Sequence, residues 1–288
     1  MFLGALKWLE WNPDPTSWVQ RGHESTRYYS LLVKENYSEI HDPLIMDKFN
    51  QLAAQLGFNS ESIGKVFAVY NERLFYPFEA YRDTLYGKHR ANPDLFKKQD
   101  WKFKGDVELR SKFIQVLVEK EKRFLLNANE SLPPILPMLQ GTSEDAIWQI
   151  CQQGFSIVGS TDAGFYGQGI YFTSNINYAR QYAKKVPNEE QKVIVLCLVT
   201  PGNTFPITEQ PYLPNGKRNP KGFLGKPCLP GYQSHFTIVK SGNIASAYPV
   251  DSLEADPAAT ATATATADEL VIFETAQVVP LFVFYCPA

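Results

Sequence analysis

Covalent cross-links and metal clusters are the first things this sequence lacks. Its four cysteines, Cys151, Cys197, Cys228 and Cys286, are far apart and form no CxxC spacing, so neither a disulfide framework nor a zinc site is expected. Its four histidines, His23, His41, His89 and His235, are not spaced like metal ligands, and no metal is expected. Charge of one sign is also missing. A formal net charge of −2 excludes a protein built mainly to coat nucleic acid and argues against nucleic acid as the partner. Long apolar runs are absent too. The N-terminal MFLGALKWLEWNPDP starts apolar but is broken by Lys7, Glu10 and Pro13, too early for a signal peptide or a membrane span. The expectation is a reducing, cytoplasmic or nucleocytoplasmic setting with no membrane partner.

What is present is enough apolar material for a core. With 288 residues, 44% hydrophobic and 14% aromatic, the chain has the makings of one large or two small folded domains. Residues 1–60 read as a helical and loop-like N-terminal segment. Within it, PLIMDKFNQLAAQLGF spaces Leu44, Ile45, Phe49, Leu52 and Leu56 for one amphipathic helix ending near Gly57. KVFAVYN (65–71) reads as a strand, and RLFYPFEAYRDTLYGK (73–88) as a helix with Pro77 in its first turn. A helical insert is expected at about 90–135, centred on DVELRSKFIQVLVEKEKRFLL.

After Pro137 short β-rich runs follow one another: ILPML, SIVG, GIYF, KVIVLCLV, FTIV, ELVIFE and QVVPLFVFY. Two helices interrupt them, SEDAIWQICQQ and NYARQYAKK. ATATATATAD (259–268) carries no large side chain and reads as a flexible loop. The part after Pro137 is therefore expected to be mixed α/β and mostly sheet, within a domain that spans 61–288.

The stretch DAGFYGQGIYFTSNINYARQYA (162–183) places Gly164, Gly167 and Gly169 beside several tyrosines. Taken alone, such glycines usually make a tight turn before a strand; the alternative is that a ligand touches main chain there. No strand precedes them and no GK[ST] follows, which excludes a dinucleotide fingerprint and a phosphate loop.

The ordered set LQGTS (139–143), YGQGIYF then YARQY (166–182), KGFLGK (221–226) and DELVIFETAQVVPLFVFY (268–285) resembles the catalytic domain of the poly(ADP-ribose) polymerase-like ADP-ribosyltransferases, a class named for a His-Tyr-Glu triad. KVFAVYNERLFYPFEAYRDTL is similar to the strand and helix that open that domain, and GYQSHFTIV to a phrase of its mono-transferring members. The resemblance runs from about Lys65 to Tyr285. It implies an α+β fold with two small, mainly antiparallel sheets and flanking helices, and NAD as co-substrate.

It also implies roles. Gly141 would offer main chain to the nicotinamide carboxamide, and Tyr171 and Tyr182 would face the two sides of the ring. Gln140, Thr142 and Gly169 would belong to the same cofactor site. Glu269 would be the triad carboxylate, stabilising positive charge on the sugar as the nicotinamide bond breaks. Asp268 and Glu274 are the competing carboxylates. Two positions depart from the pattern: Gln140 stands where the class has His, and Ala179 where it often has a serine, with Thr173 or Ser174 as candidates to replace it. The basic run PNGKRNPKGFLGK (214–226) lies where the class places a mobile loop over NAD. The implied activity is transfer of one ADP-ribose to a protein acceptor. The competing readings are an NAD- or ADP-ribose-binding pseudo-transferase and a transferase acting on nucleic acid.

Overall fold

KVIVLCLV and QVVPLFVFY pair with each other at the middle of the larger of two sheets. The structure, a computed structural model, describes residues 37–41, 43–96, 99–123, 133–157, 164–187, 189–240, 248–250 and 266–288. In chain order the elements are β1 (Tyr37–Glu39), α1 (Pro43–Gln55), β2 (Val66–Val69), α2 (Glu72–Ala91), α3 (Pro93–Phe96), α4 (Val107–Arg123), β3 (Leu136–Gly141), α5 (Glu144–Gln153), β4 (Ile170–Phe172), α6 (Ile176–Tyr182), β5 (Gln191–Val199), β6 (Thr204–Pro206), β7 (Ser234–Lys240), β8 (Thr266–Ile272) and β9 (Val278–Pro287). The larger sheet has the order β1-β2-β9-β5-β3 and the smaller one β4-β8-β7-β6; all pairs are antiparallel except β6–β7. The α+β architecture with two mainly antiparallel sheets, expected from the sequence, is present.

β5 is buried along its length from Val193 to Val199, as a central strand covered on both faces must be. Its ladder with β9 slips between Leu196 and Cys197, opposite Phe282 and Pro280. Pro280 has no N–H to give the ladder, and a bulge is where a central strand tolerates it. β2 pairs Val66–Ala68 with Phe284–Phe282, so residues near 65 belong to the same sheet as the C-terminus. α1 covers this sheet through Phe49, whose ring lies 5.6 Å from Phe282 and 5.3 Å from Phe284. It ends at Gly57 (φ 78), where Phe58 N–H reaches the Ala53 carbonyl at 3.0 Å.

α4 packs on β6 and β7 rather than projecting from the fold. Phe113 and Leu117 enter the main core and Ile114 enters the second, smaller one. The fully buried Arg110 locks this arrangement. Its Nε donates to the Gly105 carbonyl at 3.0 Å, and its Nη2 lies 2.6 Å from Glu209.

Several expectations need correction. The 1–60 segment contains a strand, β1, which pairs with β2; residues 1–36 lie outside the described residues. α2 starts at Glu72 because Asn71 caps it, accepting from Arg73 N–H at 3.1 Å, which puts Pro77 in the helix interior and not in its first turn. Ser156 and Ile157 of SIVG form no strand: the chain leaves α5 through Gly154 (φ 86) with Ile157 exposed, and Val158 and Gly159 are outside the described residues. β8 reaches back to Thr266, so the end of the Ala-Thr tract is strand; Ala267 faces Val239 across the ladder. Residues 259–265 lie outside the described residues.

Candidate active site

The smaller sheet decides which carboxylate can act. Successive residues of a strand point to opposite faces. β8 pairs Val271 with Tyr171 of β4 and with His235 of β7, and Glu269 with Thr237. Tyr171, Val271, His235, Glu269 and Thr237 therefore share one face, over the second hydrophobic cluster. Asp268 and Leu270 point to the other face, toward the main core. Asp268 is engaged there: its Oδ1 accepts from Ser174 N–H at 3.0 Å, Ser174 Oγ at 2.8 Å and Thr173 Oγ1 at 3.3 Å. The same bonds occupy both hydroxyls considered as replacements for the serine absent at Ala179, on the face away from Glu269. Glu274 lies beyond the strand end, where its side chain caps a 3-10 turn with Gln277. Of the three carboxylates, only Glu269 shares a face with Tyr171.

Glu269 is 5% exposed. The Tyr178 hydroxyl donates to its Oε1, and the Tyr182 hydroxyl makes a longer contact with the same oxygen at 3.5 Å. The two phenol oxygens are 2.9 Å apart and their rings are edge-on at 5.3 Å between centroids. Burial, followed by the charge of Glu269 and then Tyr182, holds the Tyr178 phenol well above its ordinary pKa, so it stays protonated and acts as a fixed donor. Tyr178 is buried, whereas Tyr182 is 40% exposed and presents its ring outward. Tyr171 is tethered at its tip: its hydroxyl donates to the Gly167 carbonyl at 2.8 Å and accepts from Tyr166 N–H at 2.9 Å.

α6 carries both Tyr178 and Tyr182. It starts at Asn175, whose side chain accepts from Tyr178 N–H at 3.1 Å. The helix lies against β3 so closely that a Cβ on Gly141 would meet the Ala179 carbonyl at 2.0 Å and Ala183 N at 2.8 Å. Gly141 is thus required first by the helix. Thr142 continues that contact through its carbonyl, which accepts from Lys184 N–H at 3.0 Å. Gly169 faces β8, where a Cβ would meet the Ile272 carbonyl at 2.3 Å. Gly164 and Gly167 form a turn with positive φ closed by Gly167 N–H to the Gly164 carbonyl at 3.0 Å. The turn reading of these glycines accounts for their positions.

That turn is bonded to the basic run. Gly225 N–H donates to the Gly164 carbonyl at 3.0 Å, and Gln168 N–H to the Lys226 carbonyl at 2.8 Å. Within the run, Arg218 and Lys226 donate to the carbonyls of Leu224 and Pro220, so both cations fold back onto their own loop. His235 anchors the other end of the segment. It is buried among Phe205, Phe223 and Phe273, its Nδ1 donates to the Tyr166 carbonyl at 2.7 Å and its Nε2 accepts from Leu229 N–H at 3.0 Å. Burial pushes its pKa down to about 4 and keeps it neutral.

Gln140 is the last residue but one of β3, opposite Val195 and next to Gly141. Its Oε1 is buried and has no hydrogen-bond partner. Such an acceptor costs about 1–3 kcal/mol in an empty fold and suits a site that gains a donor when a ligand binds. The cysteines offer no competing nucleophile: burial pushes the Cys151 and Cys228 thiols up to about 12. Among the described residues no group of three or more His, Cys, Asp or Glu side chains is placed to hold a metal, and no helix is long and apolar enough to cross a membrane.

Glu269 is thus buried and held by Tyr178 of α6 on the sheet face that it shares with Tyr171. A family model for the poly(ADP-ribose) polymerase catalytic domain matches residues 119–287, more than half of the chain, and the chain belongs to that family of NAD-dependent ADP-ribosyltransferases. No curated protein matches it. The match begins inside α4, yet β2 and α2 pack with the matched part through β9 and the turn that precedes it.

The sequence reading missed Tyr178 as a site residue because a buried tyrosine on a helix reads as core. The available signal was its spacing: four residues before Tyr182, it shares that helix face.

Proposed function

We propose that the chain transfers a single ADP-ribose unit from NAD to a side chain of a protein and releases nicotinamide. The observation that carries this reading is the buried Glu269 carboxylate, held by Tyr178 on the sheet face it shares with Tyr171. In this reading Tyr171 and Tyr182 form the walls of the nicotinamide pocket, with Gly141 and Gly169 giving main chain to it. Gln140 and Thr142 line the same cleft, where the unpartnered Gln140 Oε1 accepts from a ribose hydroxyl.

Glu269 accepts a hydrogen bond from the ribose 2′-hydroxyl and stabilises the positive charge that builds on the sugar as the carbon–nitrogen bond breaks. Nicotinamide leaves with the bonding electron pair. A lone pair from the acceptor side chain then bonds to the sugar carbon, and the acceptor loses a proton. Preorganised charge of this kind is worth about 2.7–4 kcal/mol of barrier. Single transfer is favoured over chain growth by Gln140, which replaces the ring of the class histidine with a longer, more flexible amide.

The test is mass spectrometry of lysate proteins after incubation with isotope-labelled NAD, with the Glu269→Gln variant as control. Protein-bound single ADP-ribose units that vanish with the variant support the reading. Label confined to nuclease-sensitive material moves the acceptor to nucleic acid, and absence of nicotinamide release makes the protein a binder.

A further inference from the structure

The β4–β8 ladder runs out one residue before the candidate catalytic acid. Its last pair is Phe172 with Leu270, after which the chain from β4 turns away: Thr173 bonds to Leu139 of β3 instead, at 2.7 and 3.0 Å. At Glu269 and Asp268, β8 therefore pairs, among the described residues, with β7 alone. The Asp268 side chain takes the place of the missing ladder. Its Oδ1 accepts from the backbone N–H of Ser174 and from the hydroxyls of Ser174 and Thr173. Lys120 of α4 completes the relay: its Nζ donates to Ser174 Oγ at 2.6 Å and stands 3.9 Å from Asp268 Oδ1.

The residues held in this way lead straight back to the site. Thr173 Oγ1 accepts from Asn175 N–H at 3.1 Å, Asn175 caps α6, and α6 delivers Tyr178 to Glu269, the covalent neighbour of Asp268. The path Asp268, Ser174, Asn175, Tyr178, Glu269 closes on itself across the sheet. A pocket of about 280 Å³ lined by Lys120, Ser174, Asn175, Ile238 and Asp268 borders this relay. The other carboxylate oxygen, Oδ2, is buried without a partner. A buried orphan of this kind costs stability, and its retention calls for a reason.

We propose that Asp268 and Lys120 are positioning residues that set the geometry of the Glu269–Tyr178 pair from the opposite face of β8. This rests on the reading of Glu269 as the catalytic carboxylate. Asp268 touches no substrate in this scheme; it acts by fixing the strand's rotation and the start of α6 together. Removing its charge leaves Tyr171, tethered to Gly167 from β4, in place and loosens the acid.

The test is steady-state nicotinamide release by the full chain carrying Asp268→Asn or Lys120→Met, each alone and combined with Glu269→Gln. Asp268→Asn is expected to lower kcat about 10-fold with KM for NAD within about 2-fold, and Lys120→Met to lower kcat about 3-fold. In the Glu269→Gln background neither substitution is expected to lower the residual rate further, because groups acting through one residue are not additive. An equal proportional loss in both backgrounds overturns the proposal, as does a raised KM with unchanged kcat, or no loss. If Asp268→Asn fails to fold, Lys120→Met decides on the same criteria. Failure of the underlying reading is seen separately: Glu269→Gln alone would then retain its rate.

Discussion

The Tyr178 hydroxyl donates to Oε1 of Glu269 from a helix that also carries Tyr182, the next residue on the same face. The carboxylate is thereby held in a buried position on β8. Tyr178→Phe keeps the ring and removes this bond together with the contact to the Tyr182 hydroxyl. Turnover is expected to fall about 10- to 100-fold with little change in KM for NAD, and stability by about 1–3 kcal/mol, because a buried carboxylate loses a donor. Nicotinamide release and urea denaturation measure the two effects; an unchanged kcat removes Tyr178 from the mechanism.

Gly141→Ala tests the seam between β3 and α6. The new Cβ would lie 2.0 Å from the Ala179 carbonyl, a backbone atom that moves only with the helix. A destabilisation of at least about 1–3 kcal/mol is expected, with α6 displaced and NAD turnover lost. Thermal unfolding at wild-type Tm would show that the helix is not so tightly seated.

Gln140→His replaces the amide whose Oε1 has no partner. If the imidazole makes the bond to the ribose that the amide makes poorly, NAD binding tightens by about 0.5–1.5 kcal/mol, up to roughly tenfold. Isothermal titration calorimetry reads this directly; unchanged or weaker binding means that the adenosine side is held elsewhere.

His235 gives a pH dependence. Its pKa is lowered by burial from 6.5 to about 4, so the folded state favours the neutral ring. The unfolded state binds the extra proton between those values. The stabilisation is complete above pH 6.5 and is lost as pH falls toward about 4, a total of roughly 3 kcal/mol. Unfolding free energies compared at pH 7 and pH 4.5 should differ by less in His235→Gln than in the wild-type chain; equal differences would place the titration on other groups.

Long elements were legible because their signals are local. α1, α2 and α4 follow from apolar spacing, and β5 and β9 from apolar runs that a strand buried on both faces requires. β1 and β6 were not legible, since three residues carry no period and their partners, β2 and β7, are distant in sequence. In the site, alternation along DELVI shows that Asp268 and Glu269 face opposite ways, but only the β4 and β7 registers say which face holds Tyr171. The sequence likewise shows that Gly141 is special without showing that the neighbour is the α6 backbone.

The most direct measurement is nicotinamide release from NAD by the wild-type chain and by Glu269→Gln, each first shown to be folded. The account predicts a loss of about 10²-fold or more, with Tm changed by no more than about 4 °C. A folded variant that releases nicotinamide at close to the wild-type rate would contradict it.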